Sequence, residues 1–247
     1  KIVKKFLVAI DQGTTSTRVI LFDLEGNIKF RSQFEFNQYF PKNGWVEHNP
    51  NEIWLTTLKA LKKVIKRASL LKGKILSIGI TNQRETTILW NKKTGKPIYN
   101  AIVWQDRRTQ EYCQKLKKKN YEKIFRKKTG LFIDPYFSAT KIKWILENVR
   151  NAKKLLKSNN LLFGTVDTFL IWKLTNGKYH LTEATNASRT LLFNINTNKW
   201  DKEILKKLKI SENILPEIKN SADNFGYTNK KIIGTEIPIS AVLGDQQ

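Results

Sequence analysis

A short polar segment between two apolar runs, Asp11 to Arg18, holds the residue types that bind phosphate groups. Phosphate oxygens are positioned and neutralised by N–H and hydroxyl donors, by a cation, and by a carboxylate that holds Mg²⁺. Gly13 lets the backbone approach a ligand, Arg18 supplies positive charge, and Asp11 can hold Mg²⁺ directly or through water. The hydroxyl donors are Thr14, Thr15 and Ser16. The segment lacks the spacing of a Walker A loop, and an ordinary Ser/Thr-rich hairpin is the alternative interpretation.

Further apolar runs end in polar or aromatic residues that suit recognition of a small polyol. Arg84 and Glu85 follow the run that contains Gly79, and they offer donors and acceptors side by side, as adjacent hydroxyls require. Trp104 ends a later run and can cover a carbon skeleton, and Tyr136 precedes a predicted helix. A surface ion pair, a core tryptophan and a packed loop tyrosine are the respective alternatives.

The last apolar run, Ile237 to Gly244, is followed by Asp245 and Gln246. A carboxylate at a strand tip is well placed to accept the proton of an alcohol as that alcohol attacks phosphorus. We therefore predict Asp245 as a general base, with Gln246 holding a second hydroxyl. The alternative role of Asp245 is that of a helix cap, for which aspartate is a favoured residue.

These side chains need strands and tight turns to position them, and the first third of the chain predicts both. Strands from Phe6 to Ile10, from Val19 to Asp23 and from Ile28 onward form an antiparallel meander. A helix follows, with Asn49 as its cap and Pro50 at its first position. The meander followed by a helix indicates an actin-like, ribonuclease H-like core.

The remainder of the chain predicts strands mixed with amphipathic helices, which is typical of an α/β domain. The strand Ile75–Ile80 leads into the polar loop Thr81–Thr86. The predicted helices are Thr109–Lys118, Ser138–Val149 and Val166–Leu174. Short strands are predicted around Phe163 and over Leu191–Phe193, besides the last apolar run.

Composition limits the classes of protein that fit. No apolar run approaches the roughly 18 residues of a membrane span, and a single cysteine with only two histidines excludes an internal disulfide and disfavours a zinc cluster. We expect a cytoplasmic location. The formal net charge of +24 raises nucleic-acid binding as an alternative. The positive charge is mostly lysine on solvated helix faces, without arginine-rich tracts, which favours a compositional bias over a nucleic-acid partner.

The two ends of the sequence lead us to expect a fragment. Methionine is absent even at position 1, and the polar residues after Gly244 stand at the mouth of a core strand. We therefore expect residues 1–247 to be one domain of a longer protein.

Together these segments resemble the FGGY carbohydrate kinase family, and within it the members that act on glycerol. The resemblance runs along the whole chain, and its order and spacing are specific. The shared stretches are Ala9–Ser16, Gly44–His48, Gly79–Thr87, Lys96–Gln105, Asp134–Ser138, Phe163–Thr168, Thr185–Thr190 and Gly244–Gln247.

The resemblance implies an actin-like, two-domain enzyme that transfers the γ-phosphate of ATP to glycerol, giving sn-glycerol 3-phosphate. It implies contacts to the nucleotide phosphates and an Mg²⁺ ligand, Asp11, in the first turn. The implied phosphate contacts are Thr14, Thr15, Ser16 and Arg18, and the implied glycerol pocket is Arg84, Glu85, Trp104, Tyr136, Asp245 and Gln246.

The resemblance also implies that residues 1–247 are the N-terminal domain, truncated at its C-terminal end, and that a second domain with most of the adenine pocket is missing. We expect this fragment to be inactive alone. The expected partners are glycerol, ATP and ADP, with no nucleic acid or membrane and with self-association when full length. A kinase for a pentulose or another sugar is the nearest alternative.

Overall fold

The computed structural model describes residues 3–247, so Lys1 and Ile2, at the start of the predicted domain, lie outside the described residues. The strands are β1 (Lys4–Gln12), β2 (Ser16–Phe22), β3 (Ile28–Glu35), β4 (Glu47–His48), β5 (Gly73–Asn82), β6 (Ile88–Asn91), β7 (Ala101–Ile102), β8 (Leu161–Gly164), β9 (Leu181–Glu183), β10 (Phe193–Asn194), β11 (Lys199–Trp200), β12 (Glu217–Lys219) and β13 (Ile239–Gly244). The helices are α1 (Pro50–Leu70), α2 (Gln110–Lys118), α3 (Glu122–Thr129), α4 (Ser138–Asn148), α5 (Ala152–Lys157), α6 (Val166–Leu174), α7 (Ala184–Ala187), α8 (Lys202–Leu208) and α9 (Lys230–Ile233).

A five-stranded mixed sheet in the order β13-β5-β1-β2-β3 forms the centre of the fold. Strands β1, β2 and β3 pair antiparallel, whereas β5 and β13 run parallel to β1. The predicted meander is therefore confirmed, and so is the α/β domain with an actin-like, ribonuclease H-like core. The parallel pairings matter for the site, because they place the carboxyl ends of β1, β5 and β13 at one edge of the sheet.

Helix α1 covers one face of this sheet, and its start follows the predicted capping. The Asn49 side chain accepts a hydrogen bond from the N–H of Asn51, and Pro50 needs no hydrogen-bond donor at the first position. Ile53, Leu61 and Val64 are completely buried. They pack with alternate residues of β1 and β2 in the larger of two hydrophobic clusters, so the helix is stabilised mainly by burial of its apolar stripe.

The second hydrophobic cluster includes residues of α2, α3, α4 and α8. In this part of the chain, sequence periodicity predicts the helices less well. Helices α3, α5 and α8 were not predicted, because each is short, rich in lysine and buries at most three side chains. The predicted strand Leu191–Phe193 is correct only at Phe193, the first residue of β10. Leu191 has a positive φ of 66° and the strand begins only at Phe193, since an extended run cannot continue through a left-handed residue. Thr109 and Val149 cap α2 and α4 rather than belonging to them.

A buried arginine ties the long loops to the helices of the second cluster. The Arg108 guanidinium lies 2.7 Å from a Glu47 carboxylate oxygen and 2.8 Å from an Asp106 carboxylate oxygen, and its side chain is completely buried. The indole rings of Trp45 and Trp144 lie 3.8 and 4.6 Å from the guanidinium carbon. A charge can be buried in this way because it is paired and its planar face contacts aromatic rings.

We predict that Arg108→Met destabilises the protein by about 3–5 kcal/mol, because the substitution leaves two buried carboxylates without their cation. Urea unfolding followed by tryptophan fluorescence measures the change. Lys143→Met is the matched control, because Lys143 pairs with the half-exposed Glu147 and its loss should cost under about 1 kcal/mol. Equal effects of the two substitutions would contradict the role given to Arg108.

Candidate functional site

The register of three parallel strands brings the predicted polar clusters to one edge of the sheet. Gln12 at the end of β1 and Gly244 at the end of β13 both pair with Asn82 at the end of β5. Two further hydrogen bonds extend these ladders: the N–H of Gln83 donates to the Gln12 carbonyl at 2.7 Å, and the N–H of Asp245 donates to the Asn82 carbonyl at 3.0 Å. Ligands of α/β sheets bind at this edge.

The predicted phosphate-binding turn is shorter than the sequence indicated. Asp11 belongs to β1 and Arg18 belongs to β2, where the two residues face each other across the antiparallel pair. Only residues 13–15 form the connection, closed by a hydrogen bond of 2.9 Å from the N–H of Gly13 to the Ser16 carbonyl. The candidate donors thus stand on rigid strands as well as on a tight turn.

Gln33 on β3 holds two of the candidate phosphate ligands, and sequence reasoning missed it. Its amide nitrogen donates to the Ser16 hydroxyl at 2.9 Å, and its amide oxygen accepts from the Arg18 Nε at 3.0 Å. Gln33 lies directly opposite Arg18 in the β2–β3 register. Thr15, at the tip of the turn, is exposed, while the Thr14 hydroxyl accepts from the Trp104 indole N–H at 3.0 Å.

Buried Gln83 and His48, together with the half-buried Gln38, hold the backbone of the turn. The Gln83 amide nitrogen donates to the Gly13 carbonyl at 2.9 Å and lies 3.3 Å from His48 Nδ1. Gln38 joins the other side of the network, because its amide nitrogen donates to the Thr14 carbonyl and its amide oxygen lies 2.6 Å from His48 Nε2. These partners are satisfied when the imidazole is neutral, with the proton on Nε2.

Four of the predicted polyol residues form two contacting pairs. Arg84 Nε lies 3.6 Å from Asp245 Oδ1, and the Trp104 and Tyr136 rings pack edge to face at 5.7 Å between centroids. Glu85, next to Arg84 in the chain, is almost completely buried. Arg189, which sequence reasoning missed, links Glu85 to the second pair: its Nε lies 2.6 Å from Glu85 Oε1 and its guanidinium carbon lies 5.4 Å from the Tyr136 ring centroid. Arg189 lies in Thr185–Thr190, one of the stretches that resemble the family. The residues around an arginine do not, however, indicate which distant carboxylate it will pair with.

The structure gives fewer contacts for two of the predicted ligands, Gln246 and Asp11. Gln246 is exposed and makes no side-chain hydrogen bond within residues 3–247, so its predicted contact to a hydroxyl stays a prediction. Asp11 is half-buried and shares a face of the sheet with Asp245, because alternate residues along neighbouring strands point the same way. Residues 3–247 contain no group of three or more potential metal-ligating side chains. Mg²⁺ fits the carboxylates present, since it is normally held by one or two of them together with water and substrate phosphates.

The electrostatic environment of Asp245 suits a base. Burial of its carboxyl raises the pKa of Asp245, the Arg84 guanidinium opposes that rise, and the Asp11 carboxylate adds to it. A carboxylate with a raised pKa takes up a proton more readily than a fully hydrated one. The Nε of Arg84 lies beside this carboxylate, but the distance of 3.6 Å is too long for a hydrogen bond. This buried N–H group therefore has no acceptor.

Comparison with known proteins gives a consistent result. The profile of the N-terminal domain of the FGGY family of carbohydrate kinases matches residues 6–247. A curated glycerol kinase of Petrotoga mobilis is 53% identical over 99% of this chain and 49% of its own length, and one of Thermoanaerobacter sp. is 56% identical over 98% and 49%. The chain thus spans about half the length of the curated relatives it matches.

Solved structures agree with the sequence comparison. The glycerol kinase of Plasmodium falciparum, crystallised with ADP, superposes with a TM-score of 0.95 at 39% identity, covering 99% of this chain and 49% of that one. A gluconate kinase of Lactobacillus acidophilus superposes with a TM-score of 0.86 at 23% identity, covering 98% of this chain and 48% of its own, which shows a shared fold alone. No helix formed by residues 3–247 is both long and apolar enough to cross a membrane.

We predict that neither histidine of this chain titrates above about pH 5. Burial lowers the pKa of His48 and of His180 to about 4. Since the unfolded imidazole titrates near 6.5, only the unfolded state binds the proton between these values. Burial of the neutral imidazoles therefore contributes fully to the free energy of unfolding above pH 6.5. This contribution is lost as the pH falls toward 4, by roughly 3 kcal/mol per histidine at most. NMR titration of the imidazole signals, assigned with His48→Gln and His180→Gln, measures both pKa values; a value near 6.5 for His48 would contradict the buried network.

Proposed function

Because this chain belongs to the FGGY family of carbohydrate kinases, we propose that the full-length protein transfers the γ-phosphate of ATP to the terminal hydroxyl of glycerol. The products are sn-glycerol 3-phosphate and ADP. The names of the curated relatives and of the Plasmodium falciparum structure support glycerol as the acceptor. Residues 1–247 then form the N-terminal domain, and a second domain supplies most of the adenine pocket.

The gap between Arg84 and Asp245 is the observation that carries this proposal. The two side chains are too far apart for a hydrogen bond, and Arg84 Nε is buried without a partner. A substrate hydroxyl placed between them accepts from Arg84 Nε and donates to the Asp245 carboxylate, so that both groups are satisfied. An unpaired buried donor is unfavourable, and the substrate hydroxyl removes that cost.

The remaining residues take roles that follow from their positions. Glu85 accepts from a second hydroxyl, and the edge-to-face pair of Trp104 and Tyr136 forms an apolar wall for a three-carbon chain. Thr14, Thr15, Ser16 and Arg18 contact the nucleotide phosphates. Asp11 would hold Mg²⁺ directly or through water, and the ion would supply positive charge that neutralises the phosphates.

Asp245 acts as the general base in the proposed reaction. As the hydroxyl oxygen of glycerol bonds to the γ-phosphorus, its proton passes to the Asp245 carboxylate. The bond from the γ-phosphorus to the bridging oxygen breaks at the same time, and ADP leaves with that oxygen. The raised pKa of Asp245 favours this transfer.

Incubation of the full-length protein with ATP, Mg²⁺ and glycerol tests the proposal directly. Phosphorus NMR should show a new phosphomonoester signal whose chemical shift matches that of added sn-glycerol 3-phosphate. The same assay with a pentulose and with gluconate tests the alternative acceptor class, and preference for either sugar over glycerol would overturn the proposal. The expected cytoplasmic location and self-association of the full-length protein stay predictions.

Asp245→Asn in the full-length protein should lower kcat by roughly 10²–10⁴-fold, the usual contribution of a general base. Its affinity for glycerol should change little, because the amide oxygen still accepts a hydrogen bond and the base is needed mainly in the transition state. Steady-state kinetics and calorimetric glycerol titration measure the two quantities. Asp23→Asn is the matched control, since Asp23 lies in the turn after β2 at the opposite edge of the sheet. Near-normal kcat in Asp245→Asn would remove this residue from the role.

Residues 1–247 expressed alone should show no turnover above background, since two domains must close around the substrates to exclude water and align the phosphate. Glycerol titration of the same polypeptide should still detect weak binding if the pocket is formed within it. Robust phosphorylation by these residues alone would contradict the proposed division between domains.

A further inference from the structure

Glu85 adopts a backbone conformation that requires support. It stands at the centre of a three-residue turn closed by a hydrogen bond of 2.7 Å from the N–H of Thr86 to the Arg84 carbonyl, and its φ is +61°. Such turns are rare and strained for a residue with a side chain. Two hydroxyls hold the Glu85 carbonyl oxygen: Ser138 donates at 2.9 Å and Thr87 donates at 3.0 Å.

The Glu85 carboxylate is held separately, by Arg189. The Arg189 Nε donates to Glu85 Oε1 at 2.6 Å, and Glu85 is only 2% exposed. The Arg189 guanidinium also lies over two aromatic rings, 5.4 Å from the Tyr136 centroid and 4.9 Å from the Phe137 centroid. One side chain therefore contacts both the acceptor and part of the aromatic wall of the proposed polyol pocket.

We propose that Arg189 is a positioning residue, which fixes the Glu85 carboxylate as a hydrogen-bond acceptor and sets the Tyr136 ring beside it. The identity of the substrate in this inference rests on the proposed function. The effect of Arg189 on Glu85 is independent of that function. Arg189 bonds one carboxylate oxygen through Nε, which leaves Glu85 Oε2 without a protein hydrogen bond within residues 3–247 and open to a substrate hydroxyl.

The charges around Glu85 explain why Arg189 matters more than its neighbours. Burial raises the pKa of Glu85, and the Arg189 hydrogen bond is the largest influence that opposes the rise, followed by the charges of Arg189, Arg84 and Lys141. Lys141 from α4 is itself completely buried, and burial lowers its pKa to about 7, so it is a weak source of positive charge. Arg84 is directed toward Asp245. Loss of Arg189 therefore favours a protonated Glu85, which donates where it should accept.

The chain segment before Arg189 anchors the opposite side of the pocket. The Thr185 hydroxyl accepts from the N–H of Gly244 at 2.9 Å, next to the proposed base. Asn186 exchanges two side-chain hydrogen bonds with Asn82 at the end of β5. Helix α7 thus fixes Arg189 relative to both β5 and β13, which gives Arg189 a rigid support.

Kinetics of four variants of the full-length protein test the proposal. Arg189→Met should raise the KM for glycerol by roughly 10–100-fold and change kcat much less, because it weakens binding in the ground and transition states alike. The KM for ATP should stay unchanged. Arg189→Lys should recover part of the loss, because an ammonium restores the charge but not the planar contact to Tyr136. Combination of Arg189→Met with Glu85→Gln should raise the KM by much less than the product of the two single effects, since the main effect of Arg189 acts through the Glu85 carboxylate and only its contact with the Tyr136 ring is independent of it.

Lys128→Met is the matched control for these variants. Lys128 forms ion pairs with Asp201 and Glu203, and its side chain has no hydrogen bond or ion pair with a residue of the proposed pocket. Its loss should leave both KM values unchanged. Thermal unfolding of every variant shows whether it is folded, and Arg189→Lys keeps the test valid if Arg189→Met does not fold. An unchanged glycerol KM in a folded Arg189→Met protein, or additive effects with Glu85→Gln, would overturn the proposal.

A measurement without substrate separates this inference from the proposed function. In protein with ¹³C-labelled glutamate, the carboxyl signal of Glu85, assigned by its loss in Glu85→Gln, should titrate at higher pH in Arg189→Met than in the unsubstituted protein. An unshifted titration would overturn the control of Glu85 by Arg189. Inactivity of the unsubstituted protein on glycerol would overturn the proposed function instead, and the titration would still decide whether Arg189 controls Glu85.

Discussion

The parallel register of β1, β5 and β13 is the constraint on which the rest of the site depends. Because Gln12, Asn82 and Gly244 lie at one level, three segments that are far apart in the sequence leave the sheet at the same edge. Each segment places a charged residue there: Asp11 just before the end of β1, Arg84 after β5, and Asp245 after β13. A shift of one residue in either pairing would turn these side chains to the opposite face of the sheet.

At this edge, buried and half-buried polar side chains hold the backbone that carries the candidate ligands. Gln83, His48 and Gln38 form a linked set that ends on the carbonyls of Gly13 and Thr14. Such a set is stabilising only when its members are satisfied, and the neutral imidazole with its proton on Nε2 satisfies both neighbours. The candidate phosphate-binding turn therefore does not rely on its own sequence for rigidity, which explains how a segment of small hydroxyl residues can be held in place.

Glu85 shows how unfavourable features concentrate at the site. It has a left-handed backbone conformation and a buried carboxylate, each of which is costly alone. Ser138 and Thr87 hold the carbonyl, and Arg189 holds the carboxylate. The same arginine contacts the Tyr136 ring, so one side chain joins the proposed acceptor to the proposed apolar wall. Strain and burial persist here because several neighbouring segments enforce them, whereas the isolated loop would relax.

The sequence by itself determined the antiparallel meander, the first helix with its Asn49 cap, and the residue types at the strand ends, because period-2 and period-3.6 patterns and capping act over a few neighbouring residues. It also indicated the family through the order of its motifs. It could not predict α3, α5 and α8, whose few apolar residues give a weak periodic signal, or the end of the extended run at Leu191. Only the tertiary structure decided that Arg189 pairs with Glu85, 104 residues away, and that Gln33 holds Arg18 and Ser16. The role of such a side chain is set by the partner that another segment brings to it. Strand pairing brings Gln33 to Arg18, and the hydrogen bonds of helix α7 with β5 and β13 bring Arg189 to Glu85.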